Sequence, residues 1–124
     1  MACGVDVVEL ERFRRACRRG GEAFLRRIFT AKEEAYARAR TATTVKHLAG
    51  RFAAKEAVIK ALSQLDGDQV PTMRQVEICN DALGRPSVVL HDGRRRGVTV
   101  HVSLSHGQTL ALASAIVTVS SGRR

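Results

Sequence analysis

The chain contains no tryptophan, one tyrosine and four phenylalanines among 124 residues. It offers few platforms on which nucleobases could stack, and no recognition-helix or zinc motif is present, so specific nucleic-acid binding is disfavoured. Cysteine is scarce and odd in number. Cys3, Cys17 and Cys79 lie far apart and outside C-x-x-C spacing, which argues against a disulfide framework or a zinc knuckle and leaves isolated core thiols as the expectation. No apolar run approaches the ~18 residues of a membrane span, and the N-terminus lacks the basic, apolar and small-residue succession of a secretory signal. A cytoplasmic setting with no membrane partner is expected. Acids are also few: 12 Asp and Glu stand against 21 Lys and Arg, giving a net charge of +9. That charge calls for an acidic partner without choosing among nucleic acid, phosphorylated small molecule and acidic protein.

What is present reads as one α+β domain over residues 1–119, with a loose basic tail at 120–124. Residues 2–8 are a short β-branched strand. Asp6 and Glu9 have capping-box spacing, which predicts a helix start at Asp6. On that helix Leu10, Phe13, Ala16 and Cys17 share one face, and Arg12, Arg15, Arg18 and Arg19 share the other, up to a break at Gly20-Gly21. A second basic turn brings Arg26 and Arg27, and Thr30 with Glu33 repeats the capping signature ahead of a short polar helix to about Arg40. Residues 45–64 form a long helix ended by Asp66-Gly67-Asp68 and Pro71. The period then changes to two, and residues 75–79, 87–91, 98–104 and 110–119 read as four antiparallel strands in a meander, with His106 in the last turn.

The long helix carries charge where its composition predicts none. In Arg51-Phe52-Ala53-Ala54-Lys55-Glu56-Ala57-Val58-Ile59-Lys60-Ala61-Leu62, Glu56 and Lys60 stand one turn apart among apolar neighbours. Spacing alone reads as a surface ion pair, but a helix apolar nearly all round is normally buried, and buried charges need partners, a metal or a ligand. Asp6, Glu56, Lys60 and His106 together have the chemistry of a phosphate-handling site. Two carboxylates can hold a magnesium ion that completes its shell with water and phosphate oxygens, and a lysine can neutralise charge on a phosphate leaving group. Taken singly, Asp6 reads as a helix N-cap and His106 as a solvated turn residue. The arginine run favours a docking surface for carboxylates or phosphates, since guanidinium makes bidentate contacts that lysine does not.

Three segments, in this order and spacing, carry a resemblance: Gly4-Val5-Asp6-Val7-Val8-Glu9-Leu10-Glu11-Arg12-Phe13, the helix from Arg51 to Leu62, and His101-Val102-Ser103-Leu104-Ser105-His106, with Gly84-Arg85-Pro86 between the last two. The chain resembles the holo-acyl-carrier-protein synthases, the small single-domain class of 4′-phosphopantetheinyl transferases. The resemblance implies that the phosphopantetheine arm of magnesium-bound coenzyme A passes to a serine of an apo acyl carrier protein, releasing adenosine 3′,5′-bisphosphate. It implies Asp6 and Glu56 as metal ligands, Lys60 at the departing phosphate, and Arg51, Lys60, Gly84, Arg85, Pro86 and His106 as coenzyme A contacts. Either Glu56 or a metal-held water would activate the serine. Arg12, with Arg15, Arg19 and Arg26 nearby, would receive the acidic helix of the carrier protein, which belongs to fatty-acid or polyketide synthesis. A homotrimer is implied, with each site at a subunit boundary. The chain departs from the family pattern at residues 63–71, where many members have a glycine-rich loop that closes on the nucleotide. The competing readings are a basic nucleic-acid-binding module and an inactive scaffold of the same fold.

Overall fold

The computed structural model describes residues 1–65, 67, 69–93 and 97–120. In chain order the elements are β1 (Ala2–Glu9), α1 (Leu10–Ile28), α2 (Ala31–Arg38), α3 (Thr44–Leu65), β2 (Val76–Asn80), β3 (Pro86–Leu90), β4 (Val98–His106) and β5 (Leu110–Val119). Short 3-10 turns at Thr41–Thr43 and Met73–Gln75 flank α3 and β2. The expected stop signals Asp66 and Asp68, and the tail beyond Ser120, lie outside the described residues.

The α+β class and the long central helix are as expected. The strand pairing differs. The last four strands do not make one meander: β2 and β3 form a separate hairpin, and β5 sits between β1 and β4 in a three-stranded antiparallel sheet. Alternation of apolar residues identifies strands and their faces but not the edge to which each pairs. Here β1 takes one edge of β5 from Ala2↔Val117 to Glu9↔Leu110. The edge of β2 away from β3 meets side chains, with Val76 O accepting from Lys55 Nζ and Ile78 N donating to Glu33 Oε2.

Asp6 is not a helix cap. β1 runs unbroken through it, Asp6 pairs with Ala113, and α1 begins at Leu10 behind Glu9, which makes no side-chain cap. The ladder engages the Asp6 backbone, and its side chain is free to serve elsewhere. The other boundaries behave as their residues dictate. Gly21 adopts φ 61°, ψ −153°, which breaks α1 at the expected place, and Thr30 and Glu33 form the reciprocal capping box. His106 ends β4 rather than standing in a turn, and His106 pairs with Ala111 across the hairpin.

Small residues bring α3 close to the sheet. Ala53, Ala57 and Ala61 on the helix and Ala111, Ala113 and Ala115 on β5 are buried, with Leu48, Val58, Leu62 and Val117 filling the same core. Gly4 is required on β1, because a Cβ there would lie 2.1 Å from the Ala57 carbonyl oxygen. The close approach puts the inward side chain of Asp6 within reach of the helix. The thiols are not all in the core as expected: Cys3 points outward from β1 and is exposed, while Cys17 and Cys79 are half-buried.

Candidate active site

Alternation along β1 turns Gly4 and Asp6 toward α3 and Val5 and Val7 away from it. Asp6 therefore faces the turn of α3 that carries Glu56 and Lys60. Lys60 Nζ donates to Asp6 Oδ1 and to the Val5 carbonyl oxygen, both at 3.1 Å, so the lysine reaches across to the strand. Against expectation Lys60 is not buried: its side chain is 52% exposed, while that of Asp6 is 16% exposed. Glu56 is half-buried, and its carboxyl is pushed above the ordinary value, first by burial and then by the charge of Asp6, with Lys60 opposing. Asp6, Glu56 and Arg12 line one cavity of about 690 Å³, whose walls include Phe13, Phe24 and Phe52.

Two neighbouring carboxylates beside a roomy, open cavity would fit a hard divalent cation that takes few protein ligands. No group of three or more His, Cys, Asp and Glu that could hold a metal forms among the described residues. Asp6 and Glu56 could offer two oxygen donors, a set that would suit magnesium better than zinc.

The other side chains gather on the opposite side of α3. Arg51, Gly84, Pro86 and His106 line a second cavity of about 230 Å³ together with Tyr36, Lys46, His47 and Asn80. Arg51 is 5% exposed. Its guanidinium lies 4.0 Å from the centre of the Tyr36 ring, against which Arg40 also packs at 3.5 Å. Arg51 also donates to Asn80 Oδ1, while its buried Nε has no hydrogen-bond partner among the described residues. Burial, and then the charges of Arg51, Arg40 and His106, hold His47 below the ordinary histidine value. The turn after β2 is held by Asp81, which accepts from Leu83 N and Arg85 N at 2.9 Å, and Gly84 takes φ 82°. Arg85 belongs to the turn but not to the cavity wall: its Nε bonds Asp81 Oδ2 at 2.8 Å and its side chain is 71% exposed. Within one chain, then, Asp6 and Glu56 line one cavity, with Lys60 bonded to Asp6 beside it, while Arg51, Gly84, Pro86 and His106 line another.

The model of the 4′-phosphopantetheinyl transferase superfamily matches residues 2–117. The chain belongs to this superfamily. It is 41% identical to a holo-[acyl-carrier-protein] synthase of Geobacillus kaustophilus, over 92% of this chain and 85% of that protein. Among solved structures it is similar to the holo-[acyl-carrier-protein] synthase of Neisseria meningitidis, with a TM-score of 0.80 at 30% identity over 94% of this chain and 97% of that one. It is also similar to the ACPS-CoA complex of Chronobacterium ammoniagenes, with a TM-score of 0.82 at 29% identity over 96% and 97%.

In this phosphopantetheinyl transferase fold the arginine-bearing α1 borders the carboxylate cavity. Arg12, Arg15, Arg19 and Arg26 are exposed; Arg12 pairs loosely with Glu9 at 3.7 Å and Arg26 with Glu22 at 3.8 Å, contacts that a competing acidic surface could replace. Sequence reasoning missed the strongest charged cluster. Lys55 and Glu33 have fully buried side chains 2.7 Å apart, and Lys55 Nζ also donates to Met73 O at 2.9 Å and Val76 O at 2.7 Å. Glu77, 6% exposed, accepts from Thr30 Oγ1 at 2.5 Å and lies 3.0 Å from His91 Nε2. The signal was available: Lys55 stands between Ala54 and Glu56 among residues as apolar as those around Glu56.

Proposed function

We propose that this protein is a holo-acyl-carrier-protein synthase that moves the 4′-phosphopantetheine arm of coenzyme A to a serine of an apo acyl carrier protein of fatty-acid or polyketide synthesis, in the cytoplasm. The convergence of Asp6, Glu56 and Lys60 across the β1–α3 junction carries the reading, because it supplies two oxygen ligands and a mobile cation at one place. The relatives named above, one a synthase of carrier proteins and one a complex with CoA, support both substrates.

The serine oxygen attacks the phosphorus that bears the pantetheine arm, and the bond to the adenosine 3′,5′-bisphosphate oxygen breaks. Glu56, with its raised carboxyl, accepts the serine proton directly or through water. Lys60 gives a proton, or its charge, to the departing phosphate oxygen. Magnesium, held by Asp6 and Glu56, would neutralise charge on the pyrophosphate oxygens. Arg51 with His106 and the turn at Gly84-Arg85-Pro86 hold the nucleotide, and Arg12, Arg15, Arg19 and Arg26 hold the acidic helix of the carrier protein.

A homotrimer with sites at subunit boundaries is part of the proposal. It accounts for the separation of the two residue groups within one chain. It also accounts for the outer face of the three-stranded sheet, where Val5, Val7, Leu112 and Ile116 are 58%, 56%, 46% and 45% exposed. The testing experiment is transfer itself: coenzyme A, magnesium and an apo carrier protein are combined with the enzyme, and modification of the carrier serine is followed. Turnover that is lost with chelator supports the reading, and transfer at an undiminished rate in chelator removes the metal from it.

A further inference from the structure

We propose that Glu33 and Lys55 are positioning residues for the nucleotide cleft, acting through β2 on Arg51. The proposal rests on the reading of that cleft as the coenzyme A side.

Neither residue lines either of the two cavities described above, and the proposed transfer gives neither a part, yet both side chains are completely buried. A buried ammonium–carboxylate pair adds little net stability over apolar side chains of similar shape, so stability alone does not account for it. What the pair does supply is direction. Glu33 Oε1 accepts from Thr30 N at 2.8 Å at the start of α2, and Oε2 accepts from Ile78 N at 2.7 Å in the middle of β2. Lys55 on α3 closes on the same carboxylate and on the carbonyls of Met73 and Val76. Three elements are thus fixed at one charged point, each bond having a defined angle that an apolar contact would lack.

The same three elements build the cleft one turn away. Arg51 precedes Lys55 by four residues on α3 and therefore projects from the same side of the helix. It lies on Tyr36 of α2 and bonds Asn80 of β2. Asn80 Nδ2 in turn donates to Gly84 O at 2.9 Å, setting the turn that lines the cavity. Ile78, whose amide Glu33 holds, lines the cavity as well. Glu33 and Lys55 thus set where β2 lies along α3, and β2 sets where Asn80 holds Arg51 and Gly84.

The test is the double variant Glu33→Gln/Lys55→Met in the full chain, which leaves no unpaired buried charge, with calorimetry of coenzyme A binding and steady-state kinetics. The expected result is a folded protein whose dissociation constant and KM for coenzyme A rise about tenfold, with kcat at saturating coenzyme A and KM for the carrier protein within about twofold of wild type. Wild-type affinity for coenzyme A in the double variant overturns the proposal, as does a fall in kcat with both KM values unchanged, the mark of lost folded protein. Should the double variant not fold, Glu33→Gln alone, which keeps the side chain's shape but removes the charged acceptor of the Ile78 amide, decides: a raised KM for coenzyme A alone supports the proposal and an unchanged one overturns it. Wild-type protein that binds no coenzyme A would instead overturn the functional reading on which the proposal rests.

Discussion

Lys60 holds its ammonium on Asp6 with half its side chain in solvent, a geometry that leaves it free to follow charge as it builds on a phosphate. Lys60→Ala should lower kcat about 10²- to 10⁴-fold with little change in the KM for the carrier protein, measured by steady-state transfer. The proposed site was read from charge in runs otherwise apolar. Asp6, Glu56, Lys60 and His106 stood out by that rule, and the resemblance then implied their roles. Lys55 obeyed the same rule and was passed over, because its partner Glu33 already had a reading as the acid of a capping box. In the folded chain Glu33 does both, one oxygen at the cap and the other on Ile78. Glu77 is a residue that no local pattern exposes, since its partners Thr30 and His91 are 47 and 14 positions away. Burial pushes the Glu77 carboxyl up, but the hydrogen bonds from Thr30 and His91, with the charges of His91 and Lys32, outweigh burial and bring it below the ordinary 4.5. A depressed carboxylate contributes stability that is present above 4.5 and is lost as pH falls through its lower folded value. Glu77→Gln should therefore flatten the decline of the melting temperature below pH 4.5, and an unchanged decline would remove Glu77 from the acid response.

At the scale of elements, the contact of β1 with α3 governs the geometry of the site. Its signal in the sequence was composition rather than period: Gly4 and the alanines of α3 and β5 permit an approach that larger side chains would block. Gly4→Ala should cost about 3 kcal/mol in urea denaturation and lower turnover in the fraction that remains folded, because β1 carries Asp6 with it when it yields. The breaks and caps at Gly21, at Thr30 and at both ends of α3 were legible because they are local chemistry, but the start of α1 was not, since Asp6 and Glu9 have capping-box spacing while β1 runs on to Glu9. The pairing of strands was not, because the edge of β2 is met by a lysine and a glutamate from other elements and that of β5 by the N-terminal strand. On α1 the exposed arginine face gives its own prediction. Arg12→Glu should raise the KM for the carrier protein about tenfold and leave the KM for coenzyme A unchanged, with the effect shrinking as salt is added.

At the scale of the whole molecule, one chain has the cavity of Asp6 and Glu56 and, apart from it, the cavity of Arg51 and His106 that the proposal assigns to the nucleotide. Assembly through the outer face of the sheet joins them in the proposed trimer. Ile116→Asp should give monomers in light scattering with turnover lost, although the residue lines neither cavity. Glu56→Ala and Arg51→Ala chains, each inactive alone, should recover part of the activity when refolded together, because some boundaries then combine an intact half from each; no recovery would place each site within one chain. The net charge of +9 fits an acidic carrier protein and a phosphorylated donor. The most direct test of the account is the intact mass of apo carrier proteins from fatty-acid and polyketide synthesis after incubation with this protein, coenzyme A and magnesium. A gain of about 340 Da on the carrier serine, absent with chelator and with Asp6→Ala or Glu56→Ala, is the predicted result, and no gain on any carrier would contradict it.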